Sequence, residues 1–307
     1  MSLQRWSQTA APYLFVLPFV VLFLIFGLFP IAFSLYLVFH SWDPVQGLQS
    51  MQYVGIENLS FALEDRLVWV SLGNTLWLAV ASGVPQHLVA IPLAYLINEH
   101  LGRWRNAAMG VYFLPYITST VAIAIMFVTL FSTEYGAVNA MLHSLAQWDV
   151  LTQWLPSHNV DWLGEPQTIK PVVAMVVFWR YVGFNTILYV AAMQSIPRDL
   201  YEAARLDGAG SLRTFWYITL PQLKPMMYFG VTLTVIGGLQ LFEEPFILTG
   251  GKGGIEYAGM TTAMYMYRTA FEFNDFGMAS AISWLLFAVI LVLTLLTNRA
   301  FRDKARA

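Results

Sequence analysis

The sequence predicts an all-α membrane protein with six transmembrane helices, and three observations carry that reading. Of its 307 residues, 58 % are hydrophobic and only 11 % are charged, and the mean hydropathy is +0.59. A soluble domain carries about 25 % charged residues, so this chain lacks the polar surface to cover a globule in water. Several stretches reach the ~20 apolar residues that a bilayer span requires. The basic residues, finally, gather in alternate connecting segments.

Ser2 to Thr9 is a polar lead, and Pro12 to Val38 is the first span, with Pro18 and Pro30. That apolar run is too long for a signal-peptide core and lacks a small-residue cleavage site, so it reads as an uncleaved helix. His40 to Arg66 is an outer polar loop, whose Asn58-Leu59-Ser60 has the form of a glycosylation acceptor, read here as chance. Val68 to Ile97 is span two, interrupted by Pro85 and Pro92 with His87 between them. Such prolines are tolerated where neighbouring helices satisfy the freed carbonyls. A basic turn with Arg103 and Arg105 leads to span three, Ala107 to Phe131, with Pro115.

Ser132 to Gln167 is the long outer loop, with an amphipathic helix opening at Gly136, Asn139 and Leu142, and Trp148, Trp154 and Trp162 as interfacial anchors. Pro171 to Met193 is span four, containing Arg180. After a polar passage, Met226 to Phe242 is a short, glycine-interrupted span five. Glu243 to Asp275 is the third outer loop, with Glu243 and Glu244 read as interfacial, and Phe276 to Leu296 is span six. No internal repeat or low-complexity segment is evident.

Placing the N-terminus inside puts eleven basic residues on the inner side: Arg5, Arg103, Arg105, Arg198, Arg205, Arg213, Lys224, Arg299, Arg302, Lys304 and Arg306. The outer side holds four, Arg66, Lys170, Lys252 and Arg268. Basic residues concentrate on the cytoplasmic side of membrane proteins, so both termini and the polar passage are expected in the cytoplasm.

Several chemistries are unsupported. A net charge of −2 without a basic cluster argues against nucleic acid, and with no cysteine there is no thiol chemistry. Gly250-Gly251-Lys252-Gly253 imitates a phosphate-binding loop, but Phe246 replaces its first glycine and Gly253 its Ser/Thr. No metal or catalytic motif appears, so the chain is read as neither an enzyme nor a metalloprotein. A secondary carrier would show paired repeats and buried carboxylates; no Asp or Glu is expected mid-span.

The most specific stretch is Tyr201 to Pro221, YEAARLDGAGSLRTFWYITLP. Glu202 to Leu206 is helix-forming, Gly208 and Gly210 break it, and a second periodic run through Leu212, Phe215, Trp216 and Ile218 ends at Pro221. Glu202, Ala203, Ala204, Gly208, Ile218, Leu220 and Pro221 stand at the spacing of the EAA loop, and the passage resembles that of the inner-membrane permease subunits of binding-protein-dependent ABC importers. The resemblance runs from about Leu67 to the C-terminus. Gly136, Asn139, Leu142 and Trp162-Leu163-x-x-Pro166 share it, as do Gly183-Phe184-Asn185, Ile196-Pro197 and Gly277-Met278-Ala279-Ser280-Ala281. Thr249-Gly250-Gly251 matches the start of the family's TGG stretch, which usually continues with a glycine and a proline, whereas Lys252-Gly253-Gly254 follows here.

The resemblance implies an N-terminal helix plus a five-helix type I ABC importer permease core. The divisions are 1–66 for the first helix and outer loop, 67–298 for the permease domain with its coupling loop at 197–224, and 299–307 for the tail. It implies a bacterial cytoplasmic-membrane location and partners: a second permease subunit, two ATPase subunits that bind the ATP and Mg, and an extracytoplasmic sugar-binding protein. The EAA loop would dock on the ATPase, and Thr249, Gly250 and Gly251 would touch the binding protein. The cargo implied is a sugar or oligosaccharide, with glycerol-3-phosphate or a polyol as the alternative. Arg180, Asn185, Tyr228 and Gln240 are the candidate lining of the substrate path. For Arg180 the competing reading is an ion pair, because a lone charge near the bilayer centre costs a few kcal/mol.

Overall fold

The computed structural model describes residues 2–146 and 158–302, with side chains from Tyr13 onward. Trp148, Trp154, Lys304, Arg306 and the side chains of Arg5 and Arg302 lie outside the described residues. α1 (Ser2–Phe23) passes through a wider π segment, Leu24–Leu28, into α2 (Phe29–Leu37). A hairpin of β1 (His40–Ser41) and β2 (Gln52–Tyr53) follows, then α3 (Glu57–Glu64). The next helices are α4 (Arg66–His100), α5 (Arg105–Ile117), α6 (Thr120–Leu130), α7 (Ala137–Ala146) and α8 (Pro166–Gln194). The polar passage holds α9 (Arg198–Leu206), α10 (Ser211–Thr214), a π segment Phe215–Thr219, and α11 (Leu220–Gln222). α12 (Lys224–Leu239), α13 (Glu243–Leu248), α14 (Thr262–Phe271) and α15 (Phe276–Arg302) complete the order.

Among the described residues, five helices or helix runs are long and apolar enough to cross a bilayer, and there are six crossings if the bent pair Gly102–Ile117 and Thr120–Leu130 is one span. The stretch read as span three, Ala107 to Phe131, turns by 89° at its break. Thr118 and Ser119 leave helical geometry (ψ 147 and 128) just after Pro115. Pro85 and Pro92, by contrast, sit inside an unbroken α4 of 35 residues. Span five also differs. It stops helically at Leu239 and resumes as α13, so the stretch from Glu243 to Leu248 belongs to the span region and not to an outer loop.

The chain divides into two compact units, residues 1–65 with 266–285, and 66–265 with 286–307. In the first, buried Asn58 donates to the carbonyls of Val38 (2.9 Å) and His40 (3.0 Å), satisfying backbone groups just past the end of α2. Its amide is spent inside the protein, which supports reading the Asn58-Leu59-Ser60 match as chance. Asp275 caps α15 by accepting from the Met278 N–H at 2.9 Å.

The second unit is built on α8, which packs along α4 and α5, with α12 against α4. One apolar cluster surrounds Val173, Val176 and Val177 with Leu78 and Phe127, and another surrounds Tyr189, Val190 and Met193 with Ala90, Ala94 and Leu223. Gly183 sets the α5–α8 spacing, since a Cβ there would collide with the Tyr112 carbonyl. This close approach through a small residue is the usual basis of helix contact where lipid removes the hydrophobic drive.

Candidate functional site

The polar passage forms a helix–turn–helix clamped to the end of α4. α9 ends in a Schellman turn: the Ala209 N–H bonds to the Ala204 carbonyl at 2.8 Å and the Gly208 N–H to the Arg205 carbonyl at 3.1 Å. Gly208 has φ +75, the left-handed conformation that glycine adopts without cost. Tyr201 is buried and its hydroxyl meets Thr219 Oγ1 at 3.1 Å, joining the two limbs of the passage. Burial pushes that hydroxyl above its ordinary pKa. Tyr95, in α4, donates to the Ser211 carbonyl at 3.0 Å.

The expected docking residues divide by exposure. Glu202, Ala203, Gly208 and Pro221 are exposed, Ile218 and Leu220 are half-buried, and Ala204 is buried. Leu220 packs against the inner apolar cluster. Pro221 does not end the second limb but sits in the first turn of α11, where its missing N–H leaves no bond unmade. Around the turn, Leu206 and Leu212 are 89 % and 72 % exposed. The exposure of these two leucines, one on each side of the turn, is a feature that the sequence reading missed.

At the other end of the second unit, Thr249, Gly250 and Gly251 form an ordered turn after α13. Thr249 Oγ1 donates to the Pro245 carbonyl (2.7 Å) and accepts from the Gly253 N–H (3.1 Å). Gly250 and Gly251 have φ +60 and +78, so the departure after TGG leaves a folded turn. Trp162, expected as an interfacial anchor, donates to Asn139 Oδ1 at 3.0 Å and packs at a tilt on Phe131, tying the outer segment together.

Between these ends lies a cleft of about 200 Å³ among α4, α5, α8 and α12. Tyr116, Tyr181 and Phe184 make an aromatic wall, with Tyr116 stacked on Phe184 at 4.6 Å. Asn185 donates to Gln86 Oε1 at 3.1 Å, and both line the cleft. A larger crevice of about 810 Å³ beside α12 has an almost wholly apolar lining, which suits hydrocarbon better than a hydroxylated ligand.

Of the four path candidates, Asn185 alone lines the cleft. Arg180 stands beside it and donates from Nη1 to Glu244 Oε1 at 2.6 Å, the two side chains being 11 % and 4 % exposed. Glu244 is thus buried, correcting its reading as interfacial, whereas Glu243 is exposed. Tyr228 packs on Phe301 at 5.6 Å, and Gln240 is exposed past the end of α12, so neither joins Asn185.

The model of the binding-protein-dependent transport system inner membrane component family matches residues 88–302. The chain belongs to that family. As an ABC importer permease it is a multi-pass inner-membrane transport subunit. The permease is 34 % identical, over 95 % of its length and 96 % of the other's, to a probable ABC transporter permease protein, YurN, of Bacillus subtilis. It is 33 % identical to the arabinooligosaccharides transport system permease protein AraP of the same organism, over 95 % of this chain and 88 % of that one. With the lactose transport system permease protein LacF of Rhizobium radiobacter it shares 32 % identity over 99 % of this chain and 97 % of the other. Among solved structures, a bacterial ABC transporter that imports the acidic polysaccharide alginate superposes with a TM-score of 0.83 at 25 % identity, covering 99 % of both chains. A second alginate transporter structure, in complex with an alginate pentasaccharide-bound periplasmic protein, superposes at 0.80 with 26 % identity over 98 % of this chain and 96 % of that one.

Within the permease, sequence reasoning considered Tyr181 beside Asn185 but missed Gln86 and Tyr116, which line the same cleft. A signal for part of this existed: Ser82 and Gln86 are four residues apart in an apolar stretch, and so share one helix face.

Proposed function

We propose that this permease passes a sugar or oligosaccharide from an extracytoplasmic binding protein into the cytoplasm. The observation that carries the reading is the mid-span cleft that pairs an aromatic wall with the amides of Gln86 and Asn185. A saccharide offers apolar C–H faces to aromatic rings and hydroxyls to amides, and sites of this kind combine apolar walls with a few placed polar groups. The named relatives that carry arabinooligosaccharides and lactose support the same class.

The chain works beside a second permease subunit. Two ATPase subunits bind ATP and Mg and dock on residues 197–224, with both termini on the same, cytoplasmic side. ATP-driven closure moves the clamped passage, and the Tyr95–Ser211 and Tyr201–Thr219 contacts carry that motion to α4 and along the passage toward α12. On the outer face, Thr249, Gly250 and Gly251 meet the binding protein. No bond of the cargo is broken in this scheme.

The test is Gly237→Leu. Gly237 lines the cleft, and a Cβ there meets nothing within 4 Å, so the larger side chain enters open space. ATP-dependent sugar uptake by the reconstituted transporter is expected to fall by about tenfold or more, with assembly unchanged. Full uptake by the assembled variant would remove the cleft from the path.

A further inference from the structure

A cleft that holds sugar through aromatics and amides still has to accept or refuse charge. None of the side chains lining this one is charged. The cation beside it is Arg180, whose guanidinium carbon stands 5.4 Å from the centroid of Tyr181, a residue of the aromatic wall. That charge is already taken, since Glu244 accepts from Nη1 at 2.6 Å. Exposed Glu243 adds a second carboxylate next in sequence. Arg180 is thus paired with one buried carboxylate, that of Glu244.

An anionic cargo entering here would give up its hydration, and burying an ion costs several kcal/mol unless an opposite charge compensates. Glu244 occupies the compensating partner. A neutral saccharide meets no such penalty, because its hydroxyls exchange water for amide partners. We propose that the cleft selects uncharged saccharides, and that Glu244 sets this selectivity by neutralising Arg180. The inference rests on the sugar reading above and narrows it, disfavouring glycerol-3-phosphate and uronate-containing chains. Glu244 acts here through Arg180, as a positioning residue and not as a contact to cargo.

The experiment is saturation-transfer NMR on the detergent-purified transporter, full permease pair with ATPases. The probes are neutral gluco-, galacto- and arabino-oligosaccharides of two to five units, set against galacturonate and alginate oligosaccharides of the same lengths. The wild type is expected to give signal with at least one neutral series and at least about tenfold weaker signal with every acidic one. Glu244→Gln, which frees the Arg180 charge, is expected to gain acidic binding by about tenfold. The double variant Arg180→Gln/Glu244→Gln, with no charge to free, is expected to keep the wild-type preference. Acidic binding by the wild type as strong as neutral overturns the inference and leaves the sugar reading standing. An assembled Glu244→Gln transporter without the acidic gain also overturns it. Should that variant fail to assemble, acidic binding by the double variant decides against the proposal. Silence from both saccharide classes in the wild type would sink the sugar reading itself.

Discussion

Arg180 and Glu244 are 64 residues apart in sequence and 2.6 Å apart in the folded chain. Neither charge is stable alone in a buried site, and breaking such a pair from one side costs ~3–5 kcal/mol because it strands the other charge. Replacing both partners with apolar groups of similar size is often neutral or stabilising. Arg180→Met is therefore expected to lower the unfolding temperature of the purified transporter strongly, and Arg180→Met with Glu244→Leu to recover most of that loss. Equal stability of single and double variants would show that the pair is not a coupled unit. Here the sequence was legible on one side only. Arg180 stands out in an apolar run, so its need for a partner follows from the residue itself. Glu244 sits beside Glu243 at a span end, and nothing local distinguishes the buried carboxylate from the exposed one. Burial of Glu244 follows from the packing of α13 on α6 and α8, not from its neighbours in sequence.

At the scale of elements, the coupling passage was legible because its signals are local: a helix-forming run, two glycines and a second periodic run. The exposed leucines were not, because an apolar residue at helical spacing reads equally as core. Gly208 supplies the sharpest test. A Cβ on it meets nothing within 4 Å in this chain, and its φ of +75 is one that asparagine tolerates. Gly208→Asn is thus expected to keep the turn and the membrane insertion. If an ATPase groove closes over the turn, the added side chain must overfill it, and ATPase co-purification should fall by about tenfold or more, about 1.4 kcal/mol. Gly208→Asp adds a charge to the same intrusion and should lose more. Wild-type co-purification with intact uptake for both variants would mean that nothing docks there. The bend in the third span was illegible for a related reason. Proline is tolerated twice inside α4 and followed by a break after α5, so its presence alone does not announce a break.

For the molecule as a whole, that bend decides everything downstream. If the pair Gly102–Ile117 and Thr120–Leu130 crosses the membrane, there are six crossings, and both termini share a side with the coupling passage. If the pair enters and returns, there are five, and every later segment changes sides. The charges distinguish the two. Six crossings divide the basic residues outside spans eleven to four, while five divide them six to nine. The first is the asymmetry that sets orientation during insertion. It also agrees with the proposal, drawn from different information, that the passage at 197–224 docks on an ATP-binding partner. Reporter fusions after Gly208 and after Gly254 are therefore expected to read cytoplasmic and periplasmic, and one at the C-terminus cytoplasmic. A re-entrant pair would invert all three readings relative to the N-terminus. A fusion after Arg105, upstream of the bend, would keep its cytoplasmic reading in both cases. The result that overturns the six-crossing topology is thus a cytoplasmic signal after Arg105 combined with a periplasmic one after Gly208, and it would remove the docking assignment with it.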